Sequence, residues 1–228
     1  MNQSTSLFPD RGLIVSAQAL EDEPLHGGDA MAKMAIAAKA AGAIGIRTNG
    51  VHDIRAIKEA VDLPVIGLIK RVIPGSDVFI TPTADEVAAI ADAGAEIVAM
   101  DVTDREGRLE KVRELFAIAH GRGMAVMADV STFEEGVAAA RLGADFVGTT
   151  LSGYTSYSAQ QEGPDLELIR RLSTELSVPL VAEGRIWTPE EAVAALNAGA
   201  DYVVVGSAIT RPQLIAARYV RAIRQKLG

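Results

Sequence analysis

Leu142-Gly143-Ala144-Asp145-Phe146-Val147 decides the fold, because its pattern returns along the chain. It stands as Ala41-Gly42-Ala43-Ile44, as Ala93-Gly94-Ala95-Glu96-Ile97-Val98 and as Ala198-Gly199-Ala200-Asp201-Tyr202-Val203. Glycine supplies the left-handed residue that stops a helix. The small alanine lets the chain turn sharply, and the next apolar pair enters a buried strand. The copies lie about 50 residues apart, which is two strand–helix units each time. Between them, Leu63-Pro64-Val65, Gly123-Met124-Ala125-Val126 and Val178-Pro179-Leu180 mark strands that start after a break.

Working outward, short apolar runs fall at 12–18, 43–48, 64–70, 96–101, 124–130, 145–150, 179–184 and 202–206. Segments of helical apolar spacing follow them, most clearly at 84–93, 110–121, 133–142, 165–176, 189–198 and 212–226. Thr83 precedes Asp85 and Glu86, and Thr188 precedes Pro189, Glu190 and Glu191, which are helix-start signals. Strict alternation implies a parallel sheet with right-handed crossovers. Eight units fit a closed (β/α)8 TIM barrel. The rival is a doubly wound open sheet, which carries a Gly-rich phosphate turn after its first strand. Here that strand ends Ser16-Ala17-Gln18, without such a turn. No composition break splits the chain, so residues 12–228 read as one α/β domain and 1–11 as an N-terminal tail or the remnant of a first helix.

Composition narrows the chemistry. The 228 residues contain no cysteine, which excludes disulfides, thiolate metal sites and cysteine nucleophiles. His26, His52 and His120 are scattered without metal-ligand spacing, so no metal is expected. Aromatics make up only 4% against 49% hydrophobic residues, so the core must be aliphatic. The net charge of −8 gives no global attraction for nucleic acid or an anionic membrane. The N-terminus lacks a basic stretch followed by an apolar run, and no run of about 18 apolar residues occurs. A cytoplasmic protein is the expectation. An Ala-rich helix at 32–41 suggests apolar patches to cover, and hence a homodimer.

A barrel places its working groups at the C-terminal ends of its strands. Read in turn, those ends carry Gln18, Arg47, Lys70, Asp101, Asp129, Thr149 or Thr150, Glu183 with Arg185, and Gly206-Ser207. Strand alternation puts Lys70 on one face with Ile66 and Leu68, Arg47 with Gly45, and Asp129 with Met127. Lys70 ends the run Val65-Ile66-Gly67-Leu68-Ile69, where a charge is costly unless paired or poised. Glu183 follows Leu180-Val181-Ala182 in the same way. A structural Lys70–Glu183 ion pair is the other reading of these two residues. Gly184, Gly206 and Ser207 occupy the loops after strands seven and eight, where barrels commonly hold phosphate, and Arg211 lies just beyond. Asp101 either orients a substrate hydroxyl or caps the following loop. The stretch 151–163, with Tyr154 and Tyr157, is a lid or a surface loop.

These residues carry a resemblance. The sequence resembles the bacterial N-acetylmannosamine-6-phosphate 2-epimerases of sialic-acid catabolism, over nearly the whole chain after the tail. Its specific stretches are Ser16-Ala17-Gln18-Ala19 with Pro24-Leu25, Gly45-Ile46-Arg47-Thr48-Asn49-Gly50, Gly67-Leu68-Ile69-Lys70-Arg71, Ala128-Asp129-Val130-Ser131-Thr132, Gly148-Thr149-Thr150-Leu151-Ser152-Gly153-Tyr154-Thr155 and Ala182-Glu183-Gly184-Arg185-Ile186. The resemblance implies a (β/α)8 fold and cofactor-free, metal-independent interconversion of N-acetylmannosamine 6-phosphate and N-acetylglucosamine 6-phosphate. It implies Lys70 as catalytic acid/base with Glu183 as its partner. Gln18, Arg47, Asp129 and Arg185 are implied as substrate-positioning groups.

The two sugars differ only at C2, next to the open-chain aldehyde. Inversion needs a base, an enolate and a proton returned on the other face. A lysine serves as base only when neutral, and burial with a cation such as Arg47 or Arg185 lowers its pKa. Lys70 and Glu183 on opposite faces make a two-base mechanism, and return by Lys70 alone is its rival. Two other functions use the same residues: a Schiff-base aldolase on a phosphorylated sugar, and a non-catalytic sugar-phosphate sensor.

Overall fold

The computed structural model describes residues 7–8, 10–104 and 107–228. Eight parallel strands close on themselves in sequence order. They are β1 (Gly12–Ala17), β2 (Gly45–Asn49), β3 (Val65–Leu68), β4 (Ile97–Asp101), β5 (Ala125–Asp129), β6 (Phe146–Gly148), β7 (Leu180–Glu183) and β8 (Tyr202–Val205). Pairing of β1 with β8, Ile14 opposite Val204, closes the ring. The helices between them are α1 (Ala30–Ala40), α2 (Val51–Ala60), α3 (Ala84–Asp92), α4 (Arg108–Gly121), α5 (Phe133–Leu142), α6 (Leu166–Glu175) and α7 (Pro189–Asn197). A one-turn α8 (Ser207–Thr210) and the long α9 (Pro212–Leu227) follow β8. This is a (β/α)8 barrel.

The strands alternate between two apolar layers. Ile14, Ile66, Leu68, Ile97, Met127, Phe146, Val181 and Val204 fill the inside. Val15, Ile46, Val65, Val98, Val126, Val147 and Val203 face the helices. Local chemistry sets the helix starts. Oγ1 of Thr132 and of Thr188 accepts from the N–H of Glu135 and of Glu191, and each glutamate reaches back to the threonine N–H. Gly143, with φ of 104°, stops α5 as the repeated phrase predicts.

Two features depart from the sequence reading. Phe8, inside the stretch read as tail, is 2% exposed and packs on the rings of Phe146 and Tyr202. It plugs the floor of the barrel, opposite the end where the strands finish. The other departure is α9, which buries none of its residues, although its sequence has helical apolar spacing. Conversely, the small face of α1 is occupied, since Met31, Ala32, Ala35 and Ala38 are buried against the barrel. No helix among the described residues is long and apolar enough to cross a membrane.

Candidate active site

At the C-terminal ends of the strands opens a cavity of about 420 Å³. Its walls include Gln18, Arg47, Lys70, Asp101, Thr150, Glu183, Arg185 and Arg211. At its centre is a charged cluster that the inward strand positions dictate. Arg47, 1% exposed, grips Asp129 with both terminal nitrogens, Nη2 to Oδ2 at 2.6 Å and Nη1 to Oδ1 at 3.2 Å. Such a fork fixes the guanidinium plane. Nε of Arg47 then lies 3.3 Å from Oε1 of Glu183, in ion-pair range but off the line of a hydrogen bond. Oγ1 of Thr150 contacts Oδ1 of Asp129 at 2.6 Å and Oε2 of Glu183 at 3.2 Å. The Thr149 hydroxyl holds the end of β7 through the Glu183 N–H and C=O, both at 3.1 Å.

Lys70 stands across the cavity. It lies beyond β3, in an isolated antiparallel bridge to Ile80, with its N–H on Oδ1 of Asn49 at 2.8 Å. No carboxylate oxygen among the described residues lies within 4.0 Å of its ammonium. The aromatic ring of Phe79 has its centroid 5.9 Å from Nζ. Burial, with the cations of Arg47 and Arg211, brings its pKa down to about 8. Glu183 moves the other way. Burial and the Asp129 charge push it up to about 7, against the pull of Arg47 and Lys70. A lysine and a carboxyl whose environments bring both near neutrality can exchange protons with a substrate between them.

The comparisons with known proteins agree in one direction. The family described as "Putative N-acetylmannosamine-6-phosphate epimerase" matches residues 31–225. A relative from Caldanaerobacter subterraneus subsp. tengcongensis, described as a 2-epimerase of the same sugar, is 53% identical over 95% of this chain and 93% of its own length. The solved N-acetylmannosamine-6-phosphate 2-epimerase from Clostridium perfringens superposes with a TM-score of 0.91 at 47% identity, covering 97% of this chain and 96% of that one. The chain belongs to the N-acetylmannosamine-6-phosphate epimerase family. A thiamine phosphate pyrophosphorylase from Pyrococcus furiosus, at 18% identity and a TM-score of 0.60 over 92% of this chain and 93% of its own, shares the barrel fold alone.

Lys70, Glu183, Gln18, Arg47, Arg185, Gly184, Gly206, Ser207 and Arg211 all line the one cavity. Asp129 stands behind them at 0% exposure and holds Arg47 and Thr150. The amide of Gln18 donates to Oγ of Ser16 at 2.8 Å, and its Oε1 is buried without a partner. Arg211 is paired with Glu23 at 3.1 Å. Arg185, with φ of 58°, turns toward the loop after β6, donating to the Gln161 carbonyl at 3.1 Å. A side chain at Gly153 would fill the place of that guanidinium, with its Cβ 2.6 Å from Cζ and closer still to Nη1. Asp101 is occupied as a loop cap: Oδ1 accepts from the N–H of Thr103 at 2.9 Å and its hydroxyl at 2.6 Å. The stretch 151–163 supplies Leu151, Tyr154 and Thr155 to the wall, while Tyr157 donates to Oε1 of Glu135 at 2.7 Å. Phe79 and Asp77, from the loop after β3, went unread. Their one signal is that the loop follows the strand end that carries Lys70.

Proposed function

We propose that this protein interconverts N-acetylmannosamine 6-phosphate and N-acetylglucosamine 6-phosphate at C2, in amino-sugar catabolism and without a metal. What carries the reading is Lys70, held near neutrality across a single cavity from Glu183 and flanked by cations. In the open-chain sugar, neutral Lys70 removes the C2 proton. The electron pair moves toward O1, and the enolate forms. Glu183 returns a proton to the opposite face. Arg47 supplies positive charge to the enolate while Asp129 fixes its plane. Gly184, Gly206, Ser207 and Arg211 receive the phosphate, and Gln18 offers its free Oε1 to a substrate N–H or O–H. Among the described residues no cluster of three His, Cys, Asp or Glu groups is placed to hold a metal ion. The two carboxylates of the cluster face Arg47 instead. A phosphorylated substrate, too polar to cross a bilayer, goes with a cytoplasmic setting.

NMR of N-acetylmannosamine 6-phosphate with the protein in D2O tests this reading. The expected result is the gluco product with deuterium at C2. Absence of both product and exchange would refute it. Borohydride trapping on Lys70 would instead favour the aldolase. We also propose that the protein is a homodimer joined through α9, whose Leu214, Tyr219, Val220, Ile223 and Leu227 are exposed. A monomer in light scattering at micromolar concentration would end that proposal.

A further inference from the structure

The Thr150 hydroxyl lies between two carboxyl groups, 2.6 Å from Oδ1 of Asp129 and 3.2 Å from Oε2 of Glu183. A hydroxyl has one proton to donate and lone pairs with which to accept. It cannot donate to both. The contact with Asp129 has the length of a hydroxyl donating to an ionised carboxylate. Arg47 grips both oxygens of Asp129, the arrangement of a guanidinium with a carboxylate. The Thr150 proton therefore belongs to Asp129, and a lone pair faces Glu183. An ionised Glu183 would meet that lone pair with its own negative charge, whereas a protonated one is a donor.

We propose that Thr150 is a positioning residue whose hydroxyl accepts a hydrogen bond from protonated Glu183 while donating to Asp129. The wire runs from Oε2 of Glu183 through Oγ1 of Thr150 to Asp129, and ends on Arg47. Charge balance agrees. The groups facing Glu183 are Arg47 from β2, Lys70 beyond β3, Asp129 from β5 and Thr150 after β6, while Arg211 acts on Lys70 from the start of α9. One guanidinium stands between two carboxyl groups, and the Arg47–Asp129 pair is already neutral. With Lys70 neutral, as proton abstraction requires, a proton on Glu183 leaves the buried cluster without unbalanced charge.

For the reaction, this inference rests on the epimerase reading above. The C2–H bond breaks toward Nζ of Lys70, and its electron pair enters the enolate. The new C–H bond forms with the proton from Oε2 of Glu183, on the opposite face. Lys70 is left as ammonium and Glu183 as carboxylate, which is the starting form for the reverse direction. Thr150 thus selects the form from which one direction begins.

The sign of one measurement tests the wire. Infrared difference titration of the free, full-length protein follows the Glu183 carboxyl band, assigned by its loss in E183Q. A hydroxyl that accepts from Glu183 favours the neutral acid, so T150V should lower the Glu183 midpoint by about one unit, the effect of losing one hydrogen bond made by a single protonation state. T150A should do the same if the valine perturbs folding by circular dichroism, and T150S should restore the parent midpoint. A midpoint that rises or stays in the hydroxyl-free variants would overturn the proposal, because Thr150 would then donate to Glu183 or not engage it. Failure of T150S to restore it would do so too. The titration uses no substrate, so its outcome is independent of the epimerase assay.

Discussion

Titrating the free protein is expected to give a bell-shaped kcat/KM, because proton transfer between Lys70 and Glu183 requires one proton on the pair. With Glu183 raised to about 7 and Lys70 lowered to about 8, both hold a proton on the acid side and no base is available. On the alkaline side neither holds one, and no acid is available. The two values belong to the pair as a whole. At about pH 7.5 roughly 60% of the molecules carry the single proton, and this falls about 20-fold two pH units to either side. NMR detection of inversion and of deuterium uptake at C2 provides the assay. E183Q separates the limbs. Inversion should stop while one-sided exchange continues, rising with pH along a single Lys70 limb. That limb should lie below 8, since the Glu183 charge that raises Lys70 is gone. Inversion by E183Q at the parental rate, or a flat profile between about pH 5.5 and 9.5, would refute the assignment of the pair.

Further predictions follow from packing and charge. Phe8→Ala should destabilise the barrel by about 3–5 kcal/mol, as loss of a buried aromatic does, with kcat unchanged; urea unfolding reads it, and a cost below about 1 kcal/mol would return Phe8 to the tail. K70M should raise stability while abolishing exchange. A lysine depressed in the folded state costs stability when charged, so the gain of roughly 3 kcal/mol is full below about pH 8 and fades as pH rises through 10.5, where the unfolded lysine also loses its proton. Thermal melts across pH check that sign. G153A forces the Arg185 guanidinium from its place, and KM should rise about tenfold. G163A, in the same loop with φ of 73° and only Glu191 Oε1 at 3.4 Å from its added Cβ, should leave KM unchanged.

The barrel was legible because each strand–helix junction repeats one local solution, and the structured strands fall within a residue or two of the predicted runs. The charged cluster was legible for a related reason. Arg47, Lys70 and Glu183 interrupt apolar runs, where only a function or a partner justifies a charge. What escaped is what depends on neighbours distant in sequence. Asp129 reads as a substrate contact, and only the geometry shows it turned onto Arg47 and Thr150. Thr150 carries no unusual signal, since a threonine after a strand is common; its two carboxyl neighbours come from β5 and β7. Arg185 reads as a cation for the substrate, but nothing in the sequence shows that the space left by Gly153 seats its guanidinium. Phe8 lies before any periodic pattern begins, so nothing local announces that it closes the barrel. The apolar spacing of α9 is real, but periodicity names a face without naming what covers it.

Lys70 sits outside the ladder of β3, tethered by its bridge to Ile80 and by Asn49. Its free-amine form is populated near neutral pH because burial there lowers its pKa to about 8. Were the loop after β3 to move outward, the Lys70 amine would meet water, its pKa would return toward the ordinary lysine value of 10.5 and it would take up a proton. Such an opening would disarm the base, so the packing around Lys70 is as much a part of the site as the amine itself.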